Sequence, residues 1–282
     1  GTDAQTESGL NSYFNYTRSY VYAAVKCLTD PDGPMNAGAL RAVEITAPEG
    51  CFLNPHPPAG GGPRAAICSR VFEVILGALA PALPEAVTAA NSHFCNATFG
   101  AWDRTRQRRF VGYELIHGGI GGRAAKDGCE AMSSPYNAAN IPVEAVEANT
   151  PVLVERFGFI PDSGGPGRFR GGLGVRRDVR ILGDSIKFTN LSERHRFQPF
   201  GLFDGRPGRR GRTLVNPGTE QEREIGGKAS VDLEYGDVVS FQLAGAGGYG
   251  DPAQRDLAAV LRDLELGLVT PDGAREDYGF RP

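Results

Sequence analysis

Residues 161–174, PDSGGPGRFRGGLG, hold six glycines and two arginines in fourteen positions. Such a stretch is compatible with a phosphate-binding loop or with a turn between two strands. A nucleotide loop of the Walker or dinucleotide type opens a helix, but the residues that follow, VRRDVRIL, alternate as in a strand. We therefore predict a wide hairpin with glycines at left-handed backbone angles. Arg168 and Arg170 remain candidates for gripping a carboxylate or a neighbouring subunit.

The composition is that of a globular protein. Of the 282 residues, 40% are hydrophobic and 22% charged, and the net charge is −3 with acids and bases interspersed. This excludes a nucleic-acid footprint and a membrane-surface patch. Five widely spaced cysteines without a CxxC pair argue against a disulfide framework or a structural zinc site. Together with the lack of a signal-like or membrane-spanning segment, this leads us to expect a soluble, cytoplasmic protein.

Hydrophobic periodicity predicts an α+β fold in three parts. An α/β portion over 1–90 continues a domain begun upstream, a β-rich and mostly antiparallel portion covers 91–250, and a short helical tail covers 251–282. Helices are predicted at 15–30, capped by Asn15 or Thr17, at 66–79, and after a cap at Asp256 with an apolar stripe of Leu257, Val260, Leu261 and Leu264. Strands are predicted at 42–47, 92–103, 108–119, 151–160, 173–182, 185–193, 212–216 and 237–245, while 143–148 is ambiguous.

Five segments in order carry a resemblance to one family. They are PMNAGALRAVEITAPEGCFLNPHPPA (34–59), GGIGGRAAKDGCEA (118–131), the long stretch 137–174, LSERHRFQPFGLFDGRPG (191–208) and GAGGYGDPAQRD (245–256). The chain is similar throughout to the C-terminal half of hydantoinase B/oxoprolinase proteins. These are the B subunits of ATP-dependent N-methylhydantoinases, the second half of 5-oxoprolinases, and subunits of ketone carboxylases. The opening GTDAQTESGLNSY lacks a helix or strand lead-in, so we expect a processed or truncated polypeptide.

The resemblance implies a part of an enzyme that uses ATP to open a hydantoin or a lactam such as 5-oxoproline. An alternative is a subunit of an acetone- or acetophenone-type carboxylase, and a third is a non-catalytic scaffold that completes a pocket. It also implies that the divalent metal (Mn, Zn or Mg) comes from the protein's own N-terminal half and that a hydantoinase A/oxoprolinase-type subunit handles ATP. We expect neither a cofactor bound by this chain alone nor a nucleic-acid or membrane partner.

Candidate site residues lie in two segments. Glu114, Asp127 and Glu144 are predicted to be catalytic, and Arg123 is predicted to bind a substrate carboxylate. Asn137 and Asn140 could hydrogen-bond an amide ring. A salt-bridged network that stabilises the turn remains an equal alternative for this group.

The second segment contains Glu193 and Arg194, which we predict to contact substrate or to border a subunit interface. The four histidines, at 56, 93, 117 and 195, do not have metal-ligand spacing. We therefore predict no metal site built from this chain.

Overall fold

A computed structural model describes residues 2–103, 107–132, 134–136 and 138–281. The chain divides into two compact units, Gly1–Val87 and Thr88–Pro282. No helix within the described ranges is long and apolar enough to cross a membrane.

The first unit is built around two packed helices, α1 (Phe14–Thr29) and α2 (Arg64–Leu79). Helix α1 begins after Tyr13 without a side-chain cap. Both predicted caps, Asn15 and Thr17, instead lie inside the helix, where the Thr17 hydroxyl donates to the Leu53 carbonyl at 2.9 Å. The strand predicted at 42–47 is wrong, because these residues pair with no neighbouring strand among the described residues.

The second unit is a sandwich of two antiparallel sheets. The first sheet has the order β2-β1-β5-β8 and the second has the order β3-β4-β9-β6-β7. The strands are β1 (Phe94–Asp103), β2 (Arg108–His117), β3 (Val152–Ile160), β4 (Gly174–Ile181), β5 (Ile186–Leu191), β6 (Arg212–Val215), β7 (Arg223–Ile225), β8 (Lys228–Leu233) and β9 (Val238–Gln242). The ambiguous segment at 143–148 forms a helix, α3 (Val143–Asn149). The predicted α+β class is confirmed, although β7 and β8 were not predicted.

The core lies between the two sheets. Phe99 of β1 and Phe188 of β5 are register partners whose rings stack at 5.1 Å. Phe188 meets Phe241 of β9, in the other sheet, edge-on at 5.7 Å. All three side chains are buried. Because alternate residues of a strand share a face, this core turns the remaining residues of each strand outward.

The glycine-rich stretch forms the predicted hairpin, since Ile160 at the end of β3 pairs with Gly174 at the start of β4. The predicted left-handed glycines are wrong: none of the six has a positive φ. Their role is close approach. A Cβ on Gly171 would lie 2.1 Å from the Ala246 carbonyl oxygen, and one on Gly164 would lie 2.2 Å from that of Gly171.

Four loops pack together in this way, and we call them the glycine cluster: 118–122, 163–174, 199–208 and 243–250. Main-chain hydrogen bonds join them directly. The Gly172 amide donates to Ile120 at 2.9 Å, the Gly165 amide to Ala246 at 2.7 Å and the Leu202 amide to Gly248 at 3.0 Å. Side chains are excluded between these backbones, which is why glycine recurs.

The tail forms two helices, α4 (Leu257–Glu265) and α5 (Pro271–Tyr278), where one was predicted. The Asp256 cap is confirmed, because its carboxylate accepts from the Ala258 amide at 3.1 Å. The predicted apolar stripe is only partly right. Val260 is buried, but Leu257 and Leu261 are 59% and 48% exposed. The inward face carries the charged Asp263 instead, because that carboxylate is paired inside the protein.

Candidate functional site

Glu114 of β2 lies inside the sandwich and faces Arg177 of β4. Arg177 Nη1 is 2.6 Å from Glu114 Oε1, and the side chains of Arg177 and Glu114 are 0% and 1% exposed. Burial raises the pKa of the Glu114 carboxyl, and the charge of Arg177 lowers it in part. The guanidinium also lies 4.8 Å from the centroid of the Phe157 ring. The arrangement links the two sheets through a desolvated ion pair.

Asp127 belongs to a charge network with Glu130, Arg170, Arg255 and Asp263. Its two carboxylate oxygens accept from Arg255 at 2.7 and 2.8 Å. Asp263 of α4 accepts from both Arg255, at 2.7 Å, and Arg170, at 3.2 Å. Arg170 also pairs with Glu130 at 2.9 Å. Arg170 thus binds two carboxylates, those of Asp263 and Glu130, and both belong to the same chain.

The electrostatics of Asp127 follow from this pairing. Burial alone would raise the pKa of Asp127, but the hydrogen bond and charge of Arg255, helped by Arg170, outweigh it and hold the pKa below its usual value of 3.8. The carboxylate lines a cavity of about 580 Å³, which also contains Lys126 and Arg262. Asp127 is therefore ionised at neutral pH, and both of its carboxylate oxygens are already bonded to the guanidinium of Arg255.

Replacing Asp127 with asparagine is expected to lower the free energy of unfolding by about 1–2 kcal/mol, because a charged bidentate contact is lost at a partly exposed site. The folded-state pKa lies below the unfolded one, so the contribution of Asp127 is present above pH 3.8 and is lost as the pH falls through the folded value. Urea unfolding at neutral and acidic pH should show the difference between wild type and variant shrinking in acid. Glu265→Gln, at an exposed carboxylate on α4, is the control and should change little. Equal effects of both variants at neutral pH would contradict this role for the network.

The other residues of the first predicted group are spread over different surroundings. Arg123 is half-buried, and its Nη2 lies 3.5 Å from the Asp127 carbonyl oxygen. Asn140 accepts from the His117 amide at 2.7 Å. Glu144 is exposed in the first turn of α3. Asn137 lies outside the described residues. The structure brings Arg123 and Asp127 together and places Glu114 and Glu144 elsewhere; the functional roles assigned to all of them remain predictions.

Glu193 and Arg194 directly precede His195, which lines a second cavity of about 430 Å³, but neither of them lines it. We call it the basic cavity; it is lined by Ile160, His195, Gln198, Arg209, Arg210, Gly211, Arg212, Glu224, Gln242 and Leu243. Arg194 has a left-handed backbone, with φ of 60°. Its Nη2 donates to the Asn91 carbonyl at 3.1 Å, and its own carbonyl accepts from the Gly211 amide at 3.1 Å. A non-glycine residue at such an angle is held by its surroundings, here by Gly211.

His195 is the residue of the basic cavity whose titration is most perturbed. Burial, with a smaller contribution from the charge of Lys228, lowers the pKa of His195 to about 4. The ring is therefore neutral at pH 7 and offers one N–H donor and one acceptor. Both ring nitrogens are enclosed, and neither has a hydrogen-bond partner among the described residues.

Sequence reasoning did not single out the arginines of this cavity. Arg209, Arg210 and Arg212 follow directly after the predicted segment 191–208, and their clustering in GRRGR was a usable signal. The contribution of Gln242 and Glu224 depends on strand pairing in the second sheet, which the sequence does not show.

The described residues do not fit a metal ion. No group of three or more histidine, cysteine, aspartate or glutamate side chains is arranged to hold one within those ranges.

Comparison with known proteins places this architecture in a family. Residues 1–252 match the family hydantoinase B/oxoprolinase. The chain belongs to this family.

Three relatives illustrate the relationship. The chain is 30% identical over 249 residues to the putative B component of a D-/L-hydantoinase from Pseudomonas sp., covering 87% of this chain and 42% of that protein. It superimposes on the ATP-dependent caprolactamase of Pseudomonas jessenii with a TM-score of 0.85 and 27% identity, covering 98% of this chain and 50% of the other. It also superimposes on nucleotide-free acetone carboxylase with a TM-score of 0.81 and 18% identity, covering 96% and 41%, which shows the shared fold alone.

The chain thus spans about half or less of the length of these relatives.

Proposed function

We propose that the chain is the C-terminal part of the B component of an ATP-dependent cyclic amidohydrolase, which opens a hydantoin or a lactam ring of the 5-oxoproline kind. The observation that carries the proposal is the likeness to ATP-dependent caprolactamase over 98% of the chain. The name of the hydantoinase relative also denotes action on a cyclic amide. The location proposed for the enzyme is the cytoplasm.

The chemistry explains why such an enzyme would need ATP. A ring amide is stable, and attaching a phosphoryl group to its oxygen makes the ring carbon more electrophilic before water attacks. We propose that an A-type subunit supplies the phosphoryl group and that the protein's own N-terminal half holds the divalent metal. The described residues would line part of the substrate site. Asp127 would be held in place by Arg255, and the side chains facing the substrate would be Arg123, Asn140, Glu193 and Arg194.

A second candidate function is a subunit of a ketone carboxylase. The likeness to acetone carboxylase supports it at the level of the fold. In that reaction the same activation of a carbonyl oxygen would precede capture of CO2. A third candidate is a scaffold half that completes a pocket without contacting substrate.

The test uses the complete polypeptide co-expressed with its A-type subunit. We expect ADP formation coupled to ring opening of at least one of 5-oxoproline, hydantoin or caprolactam, measured by product chromatography. Incorporation of labelled bicarbonate into acetone, without ring opening, would support the carboxylase instead. ATP hydrolysis uncoupled from every one of these substrates would contradict both enzymatic proposals.

The scaffold alternative is separated by Arg123→Gln in the same complex, assayed with 5-oxoproline, the one of these substrates that carries a carboxylate. If the Arg123 side chain binds a substrate carboxylate, its removal should raise KM while the melting temperature stays unchanged. Unchanged kcat and KM would favour the scaffold.

A further inference from the structure

The basic cavity has an excess of positive charge. Three arginines, Arg209, Arg210 and Arg212, line it together with one carboxylate, that of Glu224. The side chains of Arg209 and Arg210 are exposed and make no ion pair or hydrogen bond to another residue in the described part of the chain. By contrast, the buried arginines of the charge network around Asp127 are neutralised by carboxylates. The cavity therefore concentrates uncompensated cations.

Backbone hydrogen bonds hold the arginine loop in place from three sides. The Arg209 amide donates to the Ser163 carbonyl at 2.8 Å, and its carbonyl accepts from the Gly245 amide at 3.1 Å. The Gly211 amide donates to the Arg194 carbonyl at 3.1 Å. Both Ser163 and Gly245 belong to the glycine cluster, so the loop is anchored to a rigid part of the unit. A ligand bound there does not have to order the backbone.

Two further residues that line the cavity, Arg212 and His195, complete its surroundings. Arg212 Nε donates to Gln242 Oε1 at 2.8 Å, which orients its guanidinium. His195, whose two ring nitrogens lack partners among the described residues, faces the same cavity. Because both ring nitrogens are enclosed, the ring closes one side of the cavity without donating to a ligand, and the charge of an anion bound beside it would still change the environment of those nitrogens.

We propose that the basic cavity is a binding site for a phosphate-class oxyanion, with Arg209 and Arg210 as the main charged donors and Arg212 and His195 as its walls. Arginine forks match the oxygens of phosphate and make charge-assisted hydrogen bonds to them. A volume of about 430 Å³ also leaves room for an organic group attached to the phosphate. The inference rests on the proposed function only for the source of the ligand, which is either a phosphorylated substrate or the released inorganic phosphate.

The experiment measures binding without turnover. Inorganic phosphate and methyl phosphate are titrated into the complete polypeptide at low ionic strength, where screening is weak, by calorimetry and by nitrogen NMR of the histidine rings. We expect saturable binding, with a shift of the His195 resonance, and a rise in Kd of at least about tenfold in Arg209→Gln/Arg210→Gln, as expected for loss of charge-assisted bonds.

The matched control is Arg223→Gln. Arg223 is an exposed arginine of β7 that stands next to Glu224 but does not line the cavity. We expect its Kd to stay within about twofold of wild type, since neighbouring side chains of a strand point to opposite faces and Arg223 makes no charge-assisted hydrogen bond to an anion in the cavity. Tighter binding of methyl phosphate identifies a phosphorylated substrate as the ligand, and tighter binding of inorganic phosphate identifies the product.

Two outcomes would overturn the proposal: no saturable binding of either anion, or equal weakening in the cavity variant and the control. Because neither measurement needs ring opening, a complete polypeptide that binds phosphate through Arg209 and Arg210 while its complex with the A-type subunit opens no ring would reject the proposed function and leave this site standing.

Discussion

Arg177→Met, with Glu114 left in place, is expected to lower the free energy of unfolding by about 3–5 kcal/mol, the usual cost of leaving one buried charge without its partner. Both side chains are essentially inaccessible, and the shortest distance between their charged atoms is 2.6 Å. Neither charge can be rehydrated without opening the sandwich. The measurement is guanidinium unfolding, with the midpoint compared at unchanged slope.

The pH dependence of this variant has a defined sign. Burial already raises the pKa of Glu114, and without Arg177 nothing offsets that rise. The folded protein then holds a proton that the unfolded chain releases above its ordinary value of 4.5. Stability should therefore fall as the pH rises through the folded pKa and recover in weak acid.

Two further variants make the test specific. Glu114→Leu/Arg177→Met should recover most of the loss, because replacing both members of a buried pair is often close to neutral. Asp232→Asn breaks the pair with Lys187, whose side chains are 63% (Lys187) and 73% (Asp232) exposed, and should cost less than about 1 kcal/mol. A double variant as unstable as the single one would show that packing, not charge, explains the loss.

Gly171→Ala is the second substitution for which a large effect is expected, about 3 kcal/mol of destabilisation, the upper end of the usual cost of overpacking. The added methyl group would lie 2.1 Å from the Ala246 oxygen and 2.6 Å from the Gly247 oxygen. Both are backbone atoms of another loop of the glycine cluster, so no side chain can rotate away. The loops would have to separate and give up hydrogen bonds such as Gly165 to Ala246.

Gly158→Ala is the matched control for this substitution. Gly158 lies in β3 with nothing within 4 Å of an added Cβ, and its φ is not positive. We expect a neutral or slightly stabilising effect there, because alanine is less flexible than glycine in the unfolded chain. Thermal unfolding of both variants decides the matter, and similar melting temperatures would contradict the close-approach explanation.

Much of the second unit could be predicted from local pattern. The alternation in VERFGFI and VRRDVRIL predicted β3, β4 and the hairpin between them, because a two-residue period is visible within a few positions. The reason for the glycines in the hairpin was not visible. A sequence shows where glycine stands, but not whether the position needs glycine for its backbone angle or for lack of space. Here space is lacking, because the backbone of residues 243–250 lies against the hairpin.

The candidate site was less predictable because its contacts are distant along the chain. Asp127 was identified as a charged residue beside a glycine turn, yet its partner Arg255 is 128 positions away. Glu114 was grouped with Arg123 by proximity in sequence, whereas strand pairing turns it into the core toward Arg177. Arg209 and Arg210 form a local cluster, but only the fold shows that Ser163 and Gly245 hold their loop beside His195.

The glycine cluster has a consequence for how this part of the chain opens. Its segments are irregular, yet their amides are bonded to carbonyls of other loops that enclose them. Such protons reach solvent deuterium only when several segments part at once. The amides of Gly165, Phe169 and Tyr249 should thus exchange as slowly as those of the central strands, so that the slowest-opening portion of the unit includes a region without regular secondary structure.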